Sequence, residues 1–97
     1  MGERRDGMMH ITDEARDLLD ELLHDLEAGC VRVYFSGYEQ GEPQLGLALA
    51  DPHADDELLN LNSIPTAIDR RILHLTEDVV LEGKSSIEGP KFKLIRP

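Results

Sequence analysis

The sequence predicts an α+β fold that is mostly β: a largely antiparallel sheet or β-sandwich domain carrying one N-terminal amphipathic helix. Three observations predict it. One stretch of helical periodicity gives way to a period of two; about six short apolar segments follow, parted by Gly, Pro, Asn and Asp; and 97 residues leave room for one core. Residues 1–97 therefore read as a single domain, since a second core would need about 50 residues of its own.

The helix comes first. Ala15, Leu18, Leu19, Leu22, Leu23 and Leu26 recur at i, i+3 and i+4, which lines them along one face of an α-helix. Thr12 is a natural N-cap, Asp13 and Glu14 fall where the helix dipole favours anions, and Gly29 can take a left-handed stop, so the helix is expected from Asp13 to Ala28. Met8 to Ile11, just ahead of it, reads as a short strand or as a hydrophobic staple on the first turn.

Past Gly29, Val31, Val33 and Phe35 alternate with Arg32, Tyr34 and Ser36, as a half-buried strand requires. A second alternation sets Leu45, Leu47 and Leu49 against Gly46, Ala48 and Ala50, a small-residue face that invites a close neighbour. Gly37, Gly41 and Pro43 interrupt the pattern. The two strands are thus expected as antiparallel neighbours joined by a protruding loop, Gly37 to Gln44, of about eight residues.

Asp51 to Glu57 has no periodicity and reads as an acidic surface turn. Leu58–Leu61 and Ile64–Ile68 form a plausible hairpin about Asn62-Ser63, with Pro65 expected to confine the second arm to a sheet edge. Asp69 can cap a single helical turn, Arg70 to Leu75. Val79–Leu81 and Phe92–Ile95 complete the apolar inventory as short strands around a loop from Glu82 to Pro90.

Composition narrows function. Fifteen Leu stand against two Phe, two Tyr and no Trp, so the core is aliphatic and stacking platforms are scarce. Ten basic residues face twenty acidic ones, and a net charge of −10 repels polyphosphate and anionic membrane, which argues against nucleic acid and lipid partners. The acidic surplus lies in the first two thirds of the chain. A lone cysteine, Cys30, allows no intramolecular disulfide, CxxC pair or multi-thiolate zinc site, and suggests a reducing compartment. With no export segment and no apolar run near the roughly 18 residues that span a bilayer, a cytoplasmic location is expected.

Local chemistry argues for no enzyme, and no catalytic residue is assigned. His10, His24, His53 and His74 never fall at a metal-binding spacing. The cluster Asp51, His53, Asp55, Asp56 and Glu57 fails the calcium-loop pattern, which needs Asp or Asn where His53 stands and Gly where Asp56 stands, so it reads as a charged turn. Cys30 directly follows the expected helix end, where the dipole disfavours a thiolate; an inert, half-buried thiol is the better reading than a catalyst. Glycine spacing matches neither a dinucleotide fingerprint nor a P-loop.

The order of segments carries one further signal. ITDEARDLLDELL, then GCVRVYFSGYEQGEPQLGLALADP, an acidic turn, IPTAIDRRIL and the closing KFKLIRP together resemble the HesB-like family of A-type iron-sulfur carriers, over nearly the whole chain from about Met9 to Pro97. The resemblance implies a small twisted β-sandwich with an N-terminal helix, commonly a dimer, in which thiolates hold iron or an iron-sulfur cluster. One family thiolate lies in the loop after the VRVYF-like strand, and a Cys-Gly-Cys pair lies in a tail past the KFKLIRP-like strand. The loop position here is Gln40, this sequence ends at Pro97 without that pair, and Cys30 matches none of the three.

Iron in such a cluster wants soft, anionic sulfur, for which a neutral amide is a poor replacement. The expectation is therefore a non-enzymatic HesB-like protein that cannot hold a cluster by itself, has no cofactor or metal ligand of its own, forms a homodimer, and keeps Gln40 at the family's cofactor-binding position. The alternative is an acidic interaction module, with no metal role, that docks a basic partner on Asp17, Asp20, Glu21 and Asp25.

Overall fold

The computed structural model describes residues 7–97. In chain order the elements are β1 (His10–Ile11), α1 (Asp13–Leu26), β2 (Cys30–Glu39), β3 (Glu42–Ala50), β4 (Asp56–Leu61), β5 (Ile64–Asp69), a 3₁₀ helix (Arg70–Leu75), β6 (Val80–Ser86) and β7 (Gly89–Ile95). They form two sheets, one ordered β1-β6-β7 and the other β3-β2-β5-β4. The adjoining pairs are antiparallel except β1–β6 and β2–β5, which are parallel. The expected α+β sandwich with one N-terminal helix is what the chain forms.

The apolar stripe of α1 buries Ala15, Leu19 and Leu23 against a core shared by both sheets, where Val31 and Val33 of β2 meet Ile64 and Ile68 of β5 and Leu81 of β6. The Thr12 hydroxyl accepts from the Ala15 N–H at 3.2 Å, as an N-cap should. The far end differs from expectation: Glu27 takes the left-handed cap conformation, at φ 54°, and the helix stops at Leu26, short of Ala28 and Gly29. Backbone bonds from Ala28 N to Leu23 O and from Glu27 N to His24 O close the last turn there, so the chain can leave before a glycine is reached. Ahead of the helix, His10–Ile11 is a strand, pairing with Val80 and Leu81.

Four other expectations are corrected. Gly37 to Gln44 is no open loop, because β2 and β3 stay paired out to Glu39↔Glu42, with one irregularity between Phe35 and Gly37 that absorbs an extra residue. Only Gln40 and Gly41 remain outside the ladder, both at positive φ (52° and 80°), as in a type I′ hairpin turn. Glu82 to Pro90 likewise belongs to a continuous β6–β7 hairpin that closes at Ser86↔Gly89; its polar residues hid the strand because the arms run out beyond the core.

The acidic segment Asp51–Glu57 is not all surface turn, since Asp56 and Glu57 open β4 and Asp56 is buried. Lastly, Pro65 does not put β5 on an edge: β5 lies inside the sheet, between β2 and β4. The tight turn at Asn62-Ser63 makes Leu61↔Ile64 the closing hydrogen-bonded pair, which leaves Asn60↔Pro65 as a non-bonded one. The proline nitrogen thus faces β2, whose own ladder begins only at Thr66, so no donor is missed.

Candidate functional site

The two positions that the sequence singles out lie at opposite ends of one strand. Gln40 is exposed at the tip of the β2–β3 hairpin, and Cys30 is buried where β2 begins. With a rise of about 3.3 Å per residue, the strand between them spans roughly 30 Å, so one chain cannot bring them to a common ion.

Cys30 is poorly placed for either metal or covalent chemistry. Its thiol donates to the Ala50 carbonyl oxygen at 3.2 Å. Burial, and then the nearby Asp56 and Asp51 carboxylates, push its pKa above the ordinary thiol value against a smaller opposing pull from Arg32, so the neutral thiol prevails at neutral pH. Among the described residues, no three His, Cys, Asp or Glu side chains gather so as to hold a metal ion. The soft, thiolate-rich donor set that a cluster needs is not matched by one protonated thiol and a distant amide.

A different constellation forms where β2 outruns β5. The parallel ladder of these strands ends at Val33↔Ile68, yet β2 continues to Glu39. Past that point β3 covers one flank of β2, while β5 ends at Asp69 and the chain turns into the 3₁₀ helix. The gap is an open cavity of about 520 Å³. It is lined by Tyr34, Phe35, Tyr38 and Pro43 of the hairpin, by Asp69, Arg71, Ile72, His74 and Leu75 where β5 gives way to the 3₁₀ helix, and by Arg32 and His53.

Two buried carboxylates fix the cations of this cavity. Arg32 grips Asp56 through two bonds, Nε to Oδ2 at 2.7 Å and Nη2 to Oδ1 at 3.0 Å, and the Asp56 side chain is only 1% exposed. The His53 backbone N–H adds a third bond to Asp56 Oδ2, at 2.8 Å. The Arg32 guanidinium holds the Asp56 pKa below the usual carboxylate range, against the opposing effect of burial.

Asp69 repeats the pattern. It accepts from Arg71 Nε at 3.1 Å and Nη2 at 2.7 Å, and its Oδ1 also caps the 3₁₀ helix by accepting from the Arg71 backbone N–H at 2.9 Å. The Arg71 side chain and this cap lower its pKa to about 2. Unlike Arg32, Arg71 remains largely open to water. Sequence reading placed Asp69 as a cap but missed both ion pairs. Arg32 and Asp56 lie on different hairpins, and in the sequence Asp56 looks like one of several solvated charges.

The small-residue face of β3 finds its close neighbour within the same sheet. Tyr34 stands opposite Gly46, and a Cβ at that glycine would lie 2.5 Å from the ring's Cζ. The ring that lines the cavity therefore leans into space that only glycine leaves open. Phe35 and Tyr38 meet edge to face, with centroids 5.1 Å apart.

No family model matches the chain, and no curated protein matches it in sequence. Solved structures do match in fold. The chain superposes on IscA with a 2Fe-2S cluster at a TM-score of 0.76 and 23% identity, covering 93% of this chain and 86% of that one. SufA of Escherichia coli, a protein involved in biosynthesis of iron-sulfur clusters, gives 0.75 at 13% identity over 100% and 86%. A protein from Aquifex aeolicus solved by NMR gives 0.65 at 13% identity over 100% and 99%. The chain thus has the fold of IscA and SufA, as the order of its segments led one to expect.

Proposed function

We propose that this chain is a non-enzymatic binding protein on the iron-sulfur carrier fold, one that holds no cluster through its own thiolates. The observation that carries this reading is the fate of the hairpin tip. The position where the resemblance sets a thiolate is Gln40, exposed and about 30 Å of strand away from the one thiol the sequence contains, and that thiol is buried and protonated. Kinship with carriers then lies in the scaffold, and what is left for the site is recognition.

Purification without oxygen, followed by reconstitution with iron and sulfide, tests it. The expected product is colourless after desalting and carries no stoichiometric iron, because a typical cluster wants four thiolates and a symmetric dimer of this sequence supplies two. A brown product with sulfide-to-iron absorption and two or more irons per dimer overturns the reading.

A homodimer is part of the same proposal. The strands β1, β3, β4 and β7 form the edges of their sheets, and such edges offer unpaired backbone groups. A net charge of −10 per chain opposes association, so the dimer should tighten as salt rises, which sedimentation measures directly.

One observation favours a second reading. Asp17, Asp20, Glu21 and Asp25 are all exposed along α1, as docking to a basic protein would require. Salt-sensitive binding of a basic partner that is lost when these four are neutralised, by an iron-free protein, would support that role.

A further inference from the structure

We propose that the cavity between the β2–β3 hairpin and the 3₁₀ helix binds a small planar anion: an aromatic ring bearing a carboxylate or phosphate group. The proposal goes beyond the reading above and does not depend on any part in iron-sulfur chemistry.

Three of the chain's four aromatic residues, Tyr34, Phe35 and Tyr38, line this one cavity, although the sequence has few aromatics to spend. Phe35 and Tyr38 are both exposed, Tyr38 at 74%, so their rings are open to a partner. A flat ring would stack on them or meet their edges, and Ile72 and Leu75 supply apolar wall across the gap. At about 520 Å³ the space suits a small molecule and is too small for a folded partner.

The charge of the cavity is set apart from that of the protein. In a chain of net −10, Arg32 and Arg71 offset the two aspartates they bond, Asp56 and Asp69, so this site stands near charge balance, with His53 and His74 also among its lining residues. Each arginine spends its Nε and Nη2 donors on a buried aspartate. Such a clamp fixes the plane of the guanidinium, and three of its five N–H groups are not used by the carboxylate. Arg71, open to water at 86%, can turn those donors to a ligand's anionic group with little loss of side-chain freedom. An anion needs fixed donors beside a low-dielectric wall, and a ring needs aromatic faces; the cavity supplies both together.

Titration followed by protein NMR tests the idea, with 2-naphthoate and 2-naphthyl phosphate as the two probes and inorganic phosphate and naphthalene methanol as controls. The expected result is saturable binding of at least one probe, with the Tyr34, Tyr38, His53 and His74 ring signals moving together, and weaker binding of both controls. Which probe binds more tightly tells a carboxylate ligand from a phosphate one. Arg71→Gln should weaken that binding about tenfold, and Tyr38→Ala should weaken it too. Arg71→Gln keeps the backbone N–H that Asp69 accepts, so the 3₁₀ cap survives and an unchanged amide spectrum away from the cavity verifies the fold. The proposal is overturned by no saturable binding of either probe, by shifts confined to other surfaces, or by an affinity that Arg71→Gln leaves unchanged.

Discussion

The two ends of β2 show how differently one strand can be held. At its base Arg32 bonds twice to a buried aspartate from another hairpin, Val31 and Val33 are fully buried, and Cys30 is buried and bonded to the carbonyl of its cross-strand partner Ala50. At its tip Gln40 and Gly41 lie in water and are fixed only by the geometry of a two-residue turn. A change at the base must be answered by many neighbours, whereas a change at the tip is answered by the turn alone. Gln40, where the sequence resemblance implies a thiolate, falls at the tolerant end, so the side chain there can change without loss of the fold.

The largest expected effect breaks the base. Arg32→Met should destabilise the protein by about 3 kcal/mol, because Asp56 stays buried with its counter-charge gone. Urea denaturation measures it; a cost no greater than that of a tip substitution would erase the contrast. The acid limb of stability sharpens the same point. Asp56 and Asp69 both have folded pKa values below the unfolded value of about 3.9, so their contribution is complete above that pH. It drains away as pH falls, toward about 2 for Asp69. Arg32→Met should flatten the part of this fall that Asp56 supplies.

A middle-sized effect is expected from the turn itself. Gly41 has φ 80°, where a side chain is strained, and Gly41→Ala should cost about 1 kcal/mol by the same denaturation assay, without touching the base. The smallest is Gln40→Cys, expected to change stability by less than about 0.5 kcal/mol, since the site is exposed and already left-handed with a non-glycine residue. Reconstituted anaerobically, this variant should still lose its iron on desalting, because one added thiolate per chain, with Cys30 buried at the other end of the strand, leaves most of the coordination to solvent. A cluster that survives desalting in the variant alone would show that the tip position was the one element lacking.

Much of the fold was legible because its signals are local. The stripe from Ala15 to Leu23, the alternation of Val31 with Arg32 and the Asp69 cap each follow from neighbours within a few positions. The ends of the strands were not. Pro43 looked like a breaker, but it stands opposite Tyr38, one pair in from the hairpin's closing bonded pair, with its nitrogen turned to the free edge of β3. Gly37, which in the sequence looks like the start of a loop, follows an irregularity within a continuing ladder. The cavity was the least legible feature. Tyr34 comes from β2, His53 from the connection between β3 and β4 and Arg71 from the 3₁₀ helix, and no spacing along the chain announces that the end of β5 leaves them lining one gap.

The parallel seam between β2 and β5 has a consequence for how the chain reaches this arrangement. Each of these strands is one arm of its own tight hairpin, β2 with β3 and β4 with β5, and hairpins of that kind close locally, within about 1–10 μs. The seam cannot form that way, because β3 and β4 both lie between its partners along the chain, so joining Val31 to Thr66 requires a long loop to close first. Folding speed should therefore be governed by the docking of two preformed hairpins. Arg32 and Asp56, one from each, act as the latch that makes the docked state hard to leave.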